Sequence, residues 1–244
     1  MVNDLWDLEN DRSHPRKRLR PFASARLSIM GGFAAATLMM VVATALALIV
    51  SKQFFLMLTI YVVLTSAYSW ALKEYVIIDV LMLSILYTLR IVAGAVAAGI
   101  SASSWLLAFS VFMFLSLALV KRCAELVSLE GIGRGAARGR DYRVTDLMVL
   151  WPLGIGSALS AIVVFGLFIN APETRTGYEN PQMLWLIAMA LIYWLARLWV
   201  KTSRGEMHDD PVVYAVRDHA SRSLVFGAIA VMLAAHFLRF QSSI

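Results

Sequence analysis

The chain has 244 residues, of which 60% are hydrophobic and only 16% charged, with a mean hydropathy of +0.72. A soluble domain is about half apolar and about a quarter charged, so this composition excludes a soluble globular protein. The formal charge is +6, and the single cysteine, Cys123, rules out an internal disulfide and any cysteine-based metal cluster.

The first element is polar. Asn3-Asp4-Leu5-Trp6-Asp7-Leu8-Glu9-Asn10-Asp11 places Asn3, Asp7 and Asp11 at successive i, i+4 positions, with Asp4 three residues before Asp7. On a helix these four oxygen-bearing side chains share one face. A stripe of like charge repels itself unless a cation compensates it, and hard oxygen ligands of this kind suit Mg²⁺ bridged to a substrate phosphate. A solvated acidic helix start is the plain alternative. Against it stands the basic run Arg16-Lys17-Arg18-Leu19-Arg20, just after His14-Pro15. Carboxylates for a metal beside cations for phosphate oxygens are what a diphosphate site needs.

Seven apolar blocks follow, at 29–50, 54–72, 76–100, 105–120, 149–169, 183–200 and 223–238. Each is close to the ~20 residues that cross a ~30 Å hydrocarbon layer as a helix. The alternating pattern of an outer-membrane barrel is absent, so the backbone is expected to satisfy its hydrogen bonds within helices. The expected fold is an all-α, polytopic transmembrane helical bundle with about seven spanning helices plus an N-terminal motif helix. Small residues Ala93, Gly94, Ala97 and Ala98 in the third block are expected to admit a close neighbour.

Counting loops alternately, about 17 of the 22 lysines and arginines fall on one side. By the positive-inside rule that side is cytoplasmic, and the basic charge is a topological signal rather than a nucleic-acid surface. About 14 of the 16 acidic residues gather there too, which topology alone does not require. The chain opens with acidic and polar residues, without the pattern of a secretory signal peptide.

Ionisable residues within the blocks are functional candidates. Arg90 lies three turns beyond Asp79 on nearly the same helical face, so both are expected to look into the bundle. There Arg90 either pairs with Asp79 through other groups or holds a phosphate. Lys73, near Tyr68 in sequence, is placed for phosphate contact or as an interfacial anchor. Lys121 and Glu125 are i, i+4 partners, which reads as an ordinary helix-end ion pair or as part of a site, and Arg197 is expected to snorkel to the interface, outside any site. The run His208-Asp209-Asp210 before Pro211 reads as a capped loop more readily than as a metal site, because adjacent side chains diverge. Gly131, Gly133 and Gly135 follow no strand, so they read as a flexible loop.

The first motif and its basic tail, His-Pro-x-Lys-Arg-x-Arg-Pro, resemble the first aspartate-rich motif of the UbiA superfamily of intramembrane prenyltransferases. Tyr68-Ser69-Trp70-Ala71-Leu72-Lys73, Asp79-Val80 and Leu89-Arg90-Ile91-Val92-Ala93-Gly94 are similar to the helices that follow it in the branch containing decaprenyl-phosphate phosphoribosyltransferase. Lys121-Arg122-Cys123-Ala124-Glu125-Leu126 resembles the segment that replaces the second aspartate-rich motif in that branch.

The resemblance implies a helical bundle around a cavity in which Mg²⁺ binds a donor diphosphate. Asn3, Asp7 and Asp11 would be metal ligands, and Asp4, Asp7 and Asp11 the catalytic carboxylates. Arg16, Lys17, Arg18, Tyr68, Lys73, Arg90, Lys121, Arg122 and Glu125 would bind substrate. The loop carboxylates Asp141 and Asp146 are candidates to replace the missing second motif, although five-residue spacing puts them on different helical faces. The implied activity is prenyl transfer from a prenyl diphosphate to an acceptor in lipid or quinone biosynthesis. The alternatives are phosphoribosyl transfer from phosphoribosyl diphosphate to a polyprenyl phosphate, and a non-catalytic membrane protein or inactive fragment. The partners implied are a polyprenyl lipid, a diphosphate donor and membrane lipid, with no nucleic acid, at the cytoplasmic side of a bacterial inner membrane. Residues 1–244 are expected to be a single UbiA-like domain lacking the first helix or helices of the family. A longer form with an upstream phosphatase-like domain is suggested by the stretch from Arg204 to Pro211.

Overall fold

The computed structural model describes Phe22, Ser24 and residues 28–136, 139–207 and 210–238. Among these residues the fold is helical, and the single extended contact is an isolated bridge between Ala136 and Arg143. Among the described residues seven helices are long and apolar enough to cross a membrane, as the composition leads one to expect.

Among the described residues, one compact unit comprises those up to 69 together with 93–100. It contains α1 (Ile29–Val50) and nearly all of α2 (Lys52–Trp70). Ser28 caps α1, its hydroxyl accepting from the Gly31 N–H at 3.0 Å. Ser51 joins the two helices with almost no loop. Its N–H donates to the Ala47 carbonyl at 3.1 Å, and its hydroxyl accepts from the Phe54 N–H at 3.0 Å. One serine therefore closes α1 and opens α2. Gly32 has no side chain because the ring of Phe22 lies there: a Cβ would fall 2.2 Å from Phe22 Cε1.

The second unit holds the described residues of 70–92 and 101–238. Its helices are α3 (Ile78–Ala98, shared with the first unit beyond Val92), α4 (Ser104–Gly131), α5 (Leu147–Asn170), the short α6 (Pro172–Gly177), α7 (Leu184–Ser203), α8 (Pro211–Arg217) and α9 (His219–Phe237). Helix α4 runs along α5, and both meet α7. Their shared core is Leu119, Cys123, Leu126, Leu150, Ala161, Leu195 and Leu198. A smaller apolar cluster of Ile169, Leu184, Ile187 and Ala235 ties the far end of α5 to α7 and α9.

Helices approach closely at Gly154 of α5. A Cβ there would lie 2.2 Å from Trp199 of α7 and 3.1 Å from Leu119 of α4. Polar bonds seal the contact, with the Ser116 hydroxyl donating to the Gly154 carbonyl at 3.0 Å and the Trp199 indole donating to Ser116 at 3.2 Å. Close packing was expected instead at the small residues of the third block, but Gly94 faces open space, with no atom within 4 Å of where its Cβ would be.

Helix α4 outruns its apolar block, which stops at residue 120, by three turns. It ends where Gly133 takes a left-handed φ of +69° and the Arg134 N–H reaches back to the Leu129 carbonyl at 2.9 Å. Lys121, Arg122 and Glu125 therefore sit on regular helix.

Candidate functional site

At the end of the second unit where α3 begins and α4 leaves its apolar block, charged groups are buried in pairs. Asp79, in the first turn of α3, is wholly buried, and Arg122 of α4 is 2% exposed. Arg122 donates to both carboxylate oxygens of Asp79, through Nε to Oδ2 and through Nη2 to Oδ1 at 3.3 Å. Its Nη1 donates to Glu125 Oε2 at 2.6 Å, and the other oxygen of Glu125 lies 3.6 Å from Arg140. Taking these charges out of water is tolerable only because each faces an opposite charge with its hydrogen bonds made.

Lys121 turns the other way. Its ammonium lies 2.6 Å from Asp210, whose second oxygen accepts from the Val212 N–H at 3.0 Å and caps α8. Burial pushes the Asp210 carboxyl up, but the Lys121 hydrogen bond and charge outweigh it and hold the group below the usual aspartate range.

Two loops close over this end. The Asp141 N–H donates to the Glu74 carbonyl at 3.0 Å, and the buried Tyr142 hydroxyl accepts from the Ile77 N–H at 3.1 Å. Burial raises the Tyr142 phenol above its ordinary value. Asp146 is spent on its own turn, accepting from the Arg143 N–H at 2.8 Å.

A separate clamp joins α7 to the α8–α9 corner. Arg197 grips both oxygens of Asp218, Nη2 to Oδ1 at 3.0 Å. Asp218 also accepts from the Tyr214 hydroxyl at 3.1 Å and from the Ser221 N–H and hydroxyl, each at 2.9 Å. The guanidinium, chiefly, holds the Asp218 carboxyl far below the usual range.

Asn3, Asp4, Asp7, Asp11, Arg16, Lys17 and Arg18 lie outside the described residues, as do His208 and Asp209. Tyr68 is half-buried near the end of α2. Lys73 is half-buried in the short turn Leu72–Glu74. Arg90 is exposed, its guanidinium 4.9 Å from the ring centre of Tyr87, which itself stacks on Phe114. Eleven residues of helix span ~16 Å, too far for direct contact, and Arg122 reaches Asp79 across the helix interface instead.

A Lys121–Glu125 pair is replaced by Lys121–Asp210 and Arg122–Glu125. Arg197 is likewise an anchored clamp rather than a snorkelling side chain. Asp210 is the helix cap that its place before Pro211 suggested. Sequence reasoning missed Tyr142 and Asp218. The second was findable, because Asp218 with Ser221 just before an apolar run is a helix-start signature.

Among the described residues no group of three His, Cys, Asp or Glu side chains is placed to hold a metal ion. Asp79, Glu125 and Asp210 are each taken by a cation. The oxygen-bearing set Asn3, Asp7 and Asp11, which the sequence suggests for Mg²⁺, lies outside the described residues.

A family model described as the UbiA prenyltransferase family matches residues 1–217. The chain is 40% identical over 226 residues to the uncharacterised protein y4nM of Sinorhizobium fredii, covering 91% of this chain and 43% of that protein. It therefore spans less than half the length of that relative. It is 32% identical over 242 residues to nodulation protein NoeC of Azorhizobium caulinodans, covering 99% of the chain and 79% of the relative. It is 29% identical over 237 residues to decaprenyl-phosphate phosphoribosyltransferase of Mycobacterium tuberculosis, covering 96% and 76%.

Proposed function

The chain belongs to the UbiA prenyltransferase family, and from that premise we propose that it is the membrane-embedded body of a transferase that takes a group from a diphosphate donor. The donor favoured is phosphoribosyl diphosphate and the acceptor a polyprenyl phosphate. The observation that carries this choice is the likeness, along 96% of the chain, to an enzyme named decaprenyl-phosphate phosphoribosyltransferase. The end of α4 agrees with it. Where prenyl-diphosphate enzymes of the family carry a second aspartate-rich motif, this chain has Lys121, Arg122 and a single carboxylate, Glu125, already engaged by Arg122.

In this reading an acceptor phosphate oxygen forms a bond to the ribose anomeric carbon as the carbon–oxygen bond to diphosphate breaks. The bond electrons leave with the diphosphate. Lys73 and the basic run Arg16-Lys17-Arg18 stabilise that developing charge. Asn3, Asp7 and Asp11 would hold Mg²⁺, which when bound supplies further neutralisation of the leaving group. Arg122 holds Glu125 in a single orientation at the mouth of the buried cluster, and Asp79 holds Arg122.

The second reading is prenyl transfer from a prenyl diphosphate, supported by the family description itself. Membranes containing the protein, given labelled phosphoribosyl diphosphate and decaprenyl phosphate, are expected to form a lipid-linked pentose. Turnover of a prenyl diphosphate alone moves the assignment to the second reading, and turnover of neither makes the chain a non-catalytic relative.

The site is proposed to face the cytoplasm of a bacterial inner membrane, from the asymmetry of basic residues. Cys123 is fully buried, so a cysteine introduced at Arg175 is a clean reporter for a membrane-impermeant thiol reagent. It should react from outside the cell, and protection there overturns the orientation.

A further inference from the structure

Ile77 stands immediately before α3 with a φ of +67°, and among the described residues no other non-glycine has a positive φ. The Ile78 N–H donates to the Val76 carbonyl at 2.8 Å, closing a three-residue turn around it. Turns of this kind with positive φ at their centre are rare and strained, and a branched Cβ is the least suited side chain for them. Glycine or asparagine would adopt the turn freely, so something outside the turn must hold it.

The holding contact comes from 65 residues further along the chain. The Ile77 N–H donates to the Tyr142 hydroxyl at 3.1 Å, and Tyr142 is only 1% exposed. The residue before it adds a second fastening, from the Asp141 N–H to the Glu74 carbonyl at 3.0 Å. Lys73 sits in the turn Leu72–Glu74, directly beside that second bond and four residues before the first. Strained backbone that persists because its surroundings over-determine it clusters at functional sites.

We propose that Tyr142 is a positioning residue: its hydroxyl locks the turn at Ile77, and the locked turn sets Lys73 for contact with the donor diphosphate. The inference rests on the functional reading above, in which Lys73 meets that diphosphate. Burial of the ring alone would serve a purely structural tyrosine, and Tyr142→Phe separates the two roles because it removes only the oxygen.

The test uses the full-length protein in detergent, with inorganic diphosphate and Mg²⁺ as the probe. Tyr142→Phe should weaken diphosphate binding roughly tenfold, Lys73→Met by a similar factor, and the double variant no further than either alone, since both remove the same contact. Additive losses, an unchanged affinity in Tyr142→Phe, or no diphosphate binding by the unaltered protein overturns the inference. Hydrogen exchange of the Ile77 amide gives a measurement that needs no variant. It should be protected although it lies outside a helix, and exchange at the rate of an open loop also overturns the proposal. A protein that passes these tests but transfers nothing from any diphosphate donor sinks the transferase reading and leaves the lock standing. Transfer that survives with an unprotected Ile77 does the reverse.

Discussion

Arg122 and Asp79, 43 residues apart in sequence, face each other across the α3–α4 interface with both carboxylate oxygens engaged by one guanidinium and neither side chain more than 3% exposed. The pair joins the two helices at the end where the other charged residues gather. It also leaves one guanidinium nitrogen for Glu125.

Removing one partner strands the other in a buried site. Arg122→Ala is expected to cost about 3–5 kcal/mol of stability, whereas replacing both partners with apolar side chains, Asp79→Leu with Arg122→Met, is expected to recover most of it. Thermal unfolding in detergent reads both. A double variant no more stable than the single would show that the pair is not the source of the loss.

The Arg197–Asp218 clamp carries a pH dependence whose sign follows from its direction. The folded-state pKa of Asp218 is depressed, so the group contributes its stability above the unfolded aspartate value of about 4 and loses it as pH falls towards the folded value. Asp218→Asn should therefore unfold more easily at pH 7, by about 2 kcal/mol, and lose less additional stability on acidification than the unaltered protein. Parallel acid profiles for the two proteins would refute the assignment.

Gly154 tolerates no side chain without displacing Trp199. Gly154→Ala should destabilise by about 1–3 kcal/mol, and Trp199→Phe on that background should relieve part of the clash. Near-ultraviolet circular dichroism and thermal unfolding report the repacking, and a Gly154→Ala protein as stable as its parent contradicts it.

If Asn3, Asp7 and Asp11 hold Mg²⁺, then Asp7→Asn and Asp11→Asn should each weaken Mg²⁺-dependent diphosphate binding by tenfold or more in the full-length protein. Titration of Mn²⁺, read by its relaxation effect on water protons, measures the site without turnover. Full retention of both binding and relaxation in the two variants removes the metal site.

Much of this protein was legible from its residues because the bilayer imposes strong rules. Seven apolar blocks predicted seven spanning helices, and among the described residues seven helices are long and apolar enough to cross a membrane, since helices satisfy the backbone in hydrocarbon. The family, too, could be read from its first motif and basic tail, and the match over residues 1–217 agrees. Helix ends were less legible. Hydropathy marks where lipid stops, whereas α4 runs on through Lys121 and Arg122 to Gly133's left-handed turn.

Charge partners lay beyond the sequence altogether. Lys121 and Glu125 have ideal helical spacing and still do not pair, because Lys121 meets Asp210 at the start of α8 and Glu125 is taken by the neighbouring Arg122. Asp79 looked like a candidate for Arg90 along one helix, but its counter-ion came from α4. The sequence by itself determined a membrane-spanning helical chain of a known family, because composition and local motifs are properties of the residues and their immediate neighbours. Only the tertiary structure decided which charges neutralise one another and why Ile77 holds a strained turn, because those energies depend on groups that approach in space from distant parts of the chain.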